Sequence, residues 1–329
     1  MESTVSATIF ITFPRDKFKP NMTNITQDPC GPTEVSAHPA FIFAYSLVFL
    51  VSLVLNCITM RVYFCSNQRV QSSVTVYMKN LVVSDFFLCL CLPLRIAHNV
   101  TYSITMRKIY CSIGATAFYV NMYASILFMD IIAANRYLKI VRPLETHALQ
   151  TVRTARHISI GTWISLLAVS SVYLISFLQT SWVQDQKLSC ESMHSHKLSV
   201  VYKIIHCVSF AVFAFVLVSL VFLYWKTLQK IKKAQLSTQT VSSRHKFNRS
   251  KRNMLILVVV FCVCFVPYHL VRLLYMFSSD CSFNILKELT ILLSVLNVCF
   301  DPLIYFIFCK AFRDQLRKKD LQRSSEIKT

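Results

Sequence analysis

Phe261–Phe277 reads FCVCFVPYHLVRLLYMF, apolar over almost its whole length, yet it carries His269 and Arg272 one helical turn apart, just past Pro267. With the residues before it, it makes one apolar run from Met254 to Phe277. A bilayer core takes about 20 apolar residues per helix. Six further stretches qualify: Phe41–Phe64, Thr75–Ala97, Ile109–Ala134, His157–Gln179, Leu198–Trp225 and Phe283–Phe308. The expectation is an all-α membrane protein, a bundle of seven transmembrane helices with a short amphipathic helix after span seven.

Composition agrees. The chain has 329 residues, 54% of them hydrophobic, 13% aromatic and 15% charged, with a mean hydropathy of +0.49. Soluble domains carry about 25% charged residues. There are three glycines, Gly31, Gly114 and Gly161. A dinucleotide fingerprint, a P-loop and a nucleophile elbow each need several closely spaced glycines. Neither HExxH nor a pair of CxxC motifs is present. No enzyme, no catalytic residue and no metal site is expected from these features.

The formal charge is +20. In a soluble chain it would point to nucleic acid. Here basic residues mark the cytoplasmic ends of membrane helices, so the partner is the lipid bilayer and no nucleic acid polymer is expected. Residues 226–253 hold nine Lys/Arg and no Asp/Glu. The tail after span seven carries Lys310, Arg313, Arg317, Lys318, Lys319, Arg323 and Lys328. The first 40 residues carry Arg15, Lys17 and Lys19 against four acids. By the positive-inside rule, residues 1–40 are an extracellular segment, 41–309 the transmembrane domain and 310–329 a cytoplasmic helix and tail. The expected location is the plasma membrane, multi-pass, with the N-terminus outside. The glycosylation sequons at Asn21, Asn24 and Asn99 then face out, and the one at Asn248 faces the cytosol. The start MESTVSATIF lacks a basic n-region with a long apolar core, so no cleaved signal peptide is expected. Four cysteines fall outside, Cys30, Cys111, Cys190 and Cys281. An even number in an oxidising compartment indicates two disulfides, with three pairings open. No sequence repeat relates the two halves, which argues against an inverted-repeat transporter.

Polar residues inside a membrane are costly and usually functional. They fall at Asn56 in span one, at Asp85 ending NLVVSD in span two, and at Asn135, Arg136 and Tyr137 (NRY) ending span three. Trp163 lies in span four, Tyr224 in span five, Phe261, Cys264, Phe265 and Pro267 in span six, and DPLIY, Asp301 to Tyr305, in span seven. Taken in order, one set per span, these resemble the rhodopsin-like (class A) G-protein-coupled receptors, from about Phe41 to Lys319. MKNLVVSDF, LPLRI, FYVNMYASI, KIVRPL, FVPYHLVR, KELTILLSVLNVCFDPLIYF and CKAFR further resemble the purinergic nucleotide receptors, in the subgroup answering ADP and UDP-sugars, with related orphan and lysophosphatidylserine receptors. The resemblance implies the disulfides Cys111–Cys190 and Cys30–Cys281.

Helical spacing sets Phe265, His269 and Arg272 on one stripe of span six, Lys287, Ser294 and Asp301 on one of span seven, and Tyr119 and Tyr123 one turn apart on span three. Converging, these faces would make a cup with an aromatic floor and a cationic rim. It suits an anion bearing a ring, because guanidinium and ammonium groups give phosphates charge-assisted bonds. The resemblance implies ligand contacts at Tyr119, His269, Arg272 and Lys287 and near Tyr202, Lys203 and His206. It departs in the second outer loop, where Ser189 precedes Cys190 and His194 replaces a base; Lys187 is the nearest substitute. Glu288 is the acid placed to neutralise a rim cation. The ligand expected is an extracellular nucleotide or nucleotide-sugar. A lysophospholipid is the alternative, since NRY and span five also resemble the platelet-activating-factor receptor; a constitutively active orphan is a third reading.

Asp85, Ser125, Asn297 and Asp301 match the family's sodium-pocket positions, so a structural sodium ion is the one cofactor considered, with a water-filled polar network as the alternative. The resemblance implies a heterotrimeric G protein of the Gi type as partner, engaged through Asn135, Arg136, Tyr137, Tyr224 and Tyr305. The family usually has an acid before the arginine; with Asn135 the pair becomes at most a neutral hydrogen bond, and higher basal signalling than an Asn135→Asp variant is expected. Asp130, in an apolar run, is unusual there; a base at the inner face is its candidate partner. Cys309 is a candidate palmitoylation site.

Overall fold

The structure, a computed structural model, describes residues 33–64, 72–101, 103–141, 147–179, 196–237, 241–275 and 282–308. Among them lie seven helices long and apolar enough to cross a membrane: Pro39–Phe64, Ser73–Val100, Ile104–Val141, Val152–Leu178, Leu198–Leu236, Phe247–Tyr275 and Ile285–Phe306, spans one to seven. No strand occurs among the described residues. The segment after Phe308, where the amphipathic helix is expected, lies outside them, as do Asn21, Asn24, Cys30, Lys187, Ser189, Cys190, Cys281 and Cys309.

Each expected span falls on one of these helices, but several run further. Span three continues past Ala134 to Val141, so Asn135, Arg136 and Tyr137 are helical. Span five continues past Trp225 to Leu236, and span six begins at Phe247, before Met254. Apolar length reports where the bilayer is. Lys, Arg, Gln and Leu are good helix formers and carry the backbone on into water. Span five has no proline and lies within one continuous helix, His196–Ser237. Spans two, six and seven contain Pro93, Pro267 and Pro302. Span three contains a π-helical turn, Tyr110–Gly114, between Ile104–Ile109 and Ala115–Val141, and span seven is interrupted at Leu296, between Ser282–Val295 and Asn297–Phe308.

Span three is the axis of the bundle: Ala124, Ile126, Phe128, Met129, Ile132 and Ala133 are all fully buried. The outward faces are the reverse of a soluble protein's. Ile160, Ile164 and Leu167 on span four and Phe215 and Val218 on span five are exposed, as lipid-facing residues are. Lipid tails are as apolar as leucine, so polar contacts and close packing hold such helices together. Trp163 Nε1 donates to Asn80 Oδ1 over 2.9 Å, tying span four to span two. Asn56 Nδ2 donates to the carbonyls of Ser52 and Val298, 2.9 Å each, tying span one to span seven. Ser219 Oγ donates to Asp130 Oδ1 over 2.8 Å, which gives the membrane-embedded Asp130 its partner on span five.

One end of the bundle carries Arg95, Arg272 and Lys287; the other carries Arg136 and Tyr137. Cys111, at the first end, is disulfide-bonded. The other described cysteines are free, so its partner lies outside the described residues.

Candidate functional site

At the Arg272 end, spans three, five and six are joined by a run of hydrogen bonds. His206 Nδ1 lies 2.9 Å from the Tyr202 carbonyl, which makes it the protonated nitrogen. Nε2 then accepts from the Tyr119 hydroxyl at 3.3 Å, and Tyr119 in turn accepts from Tyr268 at 3.2 Å. A turn deeper, His269 Nδ1 donates to the Phe265 carbonyl over 2.8 Å, and Nε2 accepts from Tyr123 at 3.1 Å. The Phe213 ring stacks on His269 at 3.8 Å between centroids. His269 is 3% exposed and has both ring nitrogens engaged. With Tyr123 it forms the aromatic floor, placed to position the groups above it.

Above this floor stand the cations. The Arg272 guanidinium lies over the Tyr202 ring (5.1 Å) and beside that of Tyr275 (5.6 Å). Lys287 Nζ lies over the same Tyr275 ring at 4.3 Å. Tyr275, which the helical spacing did not single out, therefore touches both cations of spans six and seven. The structure thus brings together Tyr119, Tyr202, His206 and Arg272, and separately Arg272 and Lys287. Lys203 is exposed and no described contact joins it to the group.

The same end holds a second charged set that the spacing argument missed. Arg95, from LPLRI on span two, forms an ion pair with Glu288 of span seven and a hydrogen bond to Tyr110. Its guanidinium also lies over the Tyr45 ring at 4.8 Å. Glu288 is thereby paired with Arg95, with Tyr45 donating to it at 3.4 Å. A cation in an apolar run next to Pro93 is the signal that marked Arg272, and it would have found Arg95. Tyr110 stacks on His98 at 4.5 Å. Its ring lies back along the π-helical turn against Gly114, where an added Cβ would stand 2.6 Å from Tyr110 Cδ2. The glycine is what lets this ring reach Arg95.

In the middle of the bundle, Asp85, Ser125, Asn297 and Asp301 are fully buried. Asn297 Nδ2 donates to Ser125 Oγ and Asp301 Oδ2, 3.0 Å each. Asp85 accepts from Asn121 at 3.2 Å and from Tyr305 at 2.6 Å. Tyr305, grouped by the sequence with the coupling end, is fully buried here and packs edge-on against Tyr63 at 5.8 Å. Asn121 is an addition from the structure. Asp301 Oδ1, Asn297 Oδ1 and Ser294 Oγ are buried with no hydrogen-bond partner among the described residues. These are oxygen donors around two carboxylates, a set that fits one hard monovalent cation. No cluster of three His, Cys, Asp or Glu side chains occurs among the described residues.

At the Arg136 end, Asn135 is fully buried. Its amide donates to Ser73 Oγ over 3.0 Å and to the Leu149 carbonyl over 2.8 Å. Its Oδ1 has no described partner. The amide thus faces span two and the 3-10 turn Ala148–Gln150. Tyr137 and Tyr224 are half-buried.

Residues 55–305 match the 7 transmembrane receptor (rhodopsin family). Purinoceptor 14 of Bos taurus is 33% identical over 285 residues, covering 84% of this chain and 83% of that one. Lysophosphatidic acid receptor 6 of Gallus gallus is 32% identical over 293 residues, covering 84% and 91%. G-protein coupled receptor 87 of Mus musculus is 30% identical over 285 residues, covering 84% and 78%. These relatives are receptors, not enzymes, and seven membrane helices make the chain a multi-pass plasma-membrane protein. With this likeness over most of its length, the chain belongs to the rhodopsin-like family of G-protein-coupled receptors, in its purinergic-like subgroup.

Proposed function

We propose that this receptor binds an extracellular anion bearing a ring, a nucleotide or nucleotide-sugar, at its Arg272 end and activates a Gi-type G protein at its Arg136 end. The observation that carries the reading is the pair of cations, Arg272 and Lys287, both held against the Tyr275 ring beside a hydrogen-bonded layer of tyrosines and histidines. Phosphates take the cations, and the base stacks near Tyr119 and Tyr202. The similarity to purinoceptor 14 supports it. The distribution of Lys and Arg supports placing the N-terminus outside, so that Asn21, Asn24 and Asn99 are open to glycosylation, and the disulfides are Cys111–Cys190 and Cys30–Cys281. Lys187 completes the rim from the loop. Asp85, Ser125, Asn297 and Asp301 hold a sodium ion, and Arg136, Tyr137 and Tyr224 meet the G protein.

The similarity to lysophosphatidic acid receptor 6 favours a second reading, a lysophospholipid. Its phosphate would use the same two cations, and its acyl chain would need an apolar slot between helices. The test is Gi activation in cells expressing the chain, challenged with ADP, UDP-glucose, lysophosphatidylserine and lysophosphatidic acid. A nucleotide response lost in Arg272→Ala supports the first reading. A response to lipid alone overturns it in favour of the second.

A further inference from the structure

Arg136 lies in a surrounding of unusual charge. The residue before it is Asn135, and residues 226–253, from the end of span five to the start of span six, hold nine Lys/Arg and no Asp/Glu. Neither segment supplies a carboxylate to restrain the arginine. Span three nevertheless carries an acid nearby. Asp130 lies six residues earlier, roughly 9 Å along the helix axis, and accepts a 2.8 Å hydrogen bond from Ser219 of span five. We propose that this intramembrane hydrogen bond holds span five against span three in the silent receptor, and that its rupture is part of activation. The proposal rests on membership of the family and on neither the ligand nor the G-protein subtype.

The bond is suited to that role in three ways. Helices in lipid are not pressed together by water, so one polar contact is a large share of what joins a pair. The contact is also short-ranged: at 2.8 Å it is near its optimum, and a helix shift of about 1–2 Å, usual for switching bundles, breaks it. The two partners, finally, fare differently once it breaks. The Ser219 hydroxyl can turn to the carbonyl of Phe215, four residues back on its own helix. The Asp130 carboxylate has no such local donor in a helix, and is left in the bilayer without the bond it had. The carboxylate therefore favours the arrangement in which the spans stay engaged.

The experiment uses the full-length receptor without ligand, read by G-protein dissociation sensors for every α-subunit class and normalised to surface expression. Ser219→Ala and Asp130→Ala should raise the basal signal, by roughly three- to fifteen-fold for an interhelical bond of ordinary strength. Asp130→Asn keeps an acceptor oxygen and should stay near wild type. The double variant Asp130→Ala/Ser219→Ala should signal no more than either single one, since both remove the same bond. Unchanged or lower basal signal in Ser219→Ala overturns the proposal. So does an additive double variant, or an Asp130→Asn as active as Asp130→Ala, which would make the charge and not the bond the cause. If Asp130→Ala fails to reach the surface, Ser219→Ala and Asp130→Asn decide between them.

Discussion

Arg95 of span two and Glu288 of span seven form an ion pair near one end of the bundle, with the arginine side chain 9% exposed and the glutamate side chain 34% exposed. The consequence is asymmetric. Removing the carboxylate leaves a nearly buried guanidinium without its counter-ion, whereas replacing both partners by apolar groups removes both desolvation costs together. Glu288→Ala should therefore lose about 1–3 kcal/mol of stability, a partial exposure of the acid keeping the figure below that of a fully buried pair. Arg95→Met/Glu288→Leu should lose less than Glu288→Ala alone. Thermal denaturation of the purified receptor in detergent measures both. A double variant weaker than the single one would mean that the pair contributes net stability.

Arg272 lies against the Tyr202 and Tyr275 rings, so it is fixed in direction as well as in charge. A phosphate contact of this kind is worth about 1.5–3 kcal/mol, and its loss in Arg272→Ala should raise the half-maximal agonist concentration roughly 10- to 100-fold. Lysine keeps the charge but neither the planar fork nor the stacking. Arg272→Lys should recover only part of the loss. Concentration–response curves for the active ligand check this, and full recovery by lysine would reduce the role of the ring contacts to packing.

What could be read from the chain, and what could not, follows from how each feature is encoded. The spans were legible because lipid demands a continuous apolar run at each crossing, and Asp85, Asn297 and Asp301 stand out within such runs. Helix rotation is not encoded locally. Glu288 follows Lys287 directly, yet it reaches span two while Lys287 reaches Tyr275 of span six; no spacing rule separates those destinations. Ser219 lies 89 residues from Asp130 and has nothing distinctive around it, so the acid was visible and its partner was not. The Asn135 amide donates to Ser73 and to the Leu149 carbonyl, 62 and 14 residues away, and nothing in its own neighbourhood of the sequence indicates either partner.

Those two bonds make a prediction about Asn135 that separates stability from signalling. An aspartate there could accept from Ser73 but would set a carboxylate against the Leu149 carbonyl, where the amide now donates over 2.8 Å. Asn135→Asp should lose about 1–3 kcal/mol of stability through that unsatisfied contact. Its carboxylate, one residue from Arg136, should at the same time lower ligand-free signalling relative to wild type. Asn135→Ala should lose stability without lowering the basal signal. Melting temperature and surface-normalised basal activity, measured on all three proteins, test the two effects separately. Equal basal activity of wild type and Asn135→Asp would remove the electrostatic half of the argument.

Asp301 Oδ1, Asn297 Oδ1 and Ser294 Oγ have no described hydrogen-bond partner, and polar atoms buried in a membrane protein without a partner cost free energy. A sodium ion held by this group would satisfy oxygens that an internal hydrogen bond does not. Because the ion would bind the folded bundle alone, it should stabilise the receptor by mass action, about 1.4 kcal/mol at tenfold above its dissociation constant. Exchanging sodium chloride for choline chloride at constant ionic strength should then lower the melting temperature by roughly 3 °C. The sodium effect should vanish in Asp85→Asn and weaken in Ser125→Ala, which lacks the hydroxyl now receiving the Asn297 amide at 3.0 Å. Equal melting temperatures of the wild-type receptor in the two salts would leave the site as a water-filled network.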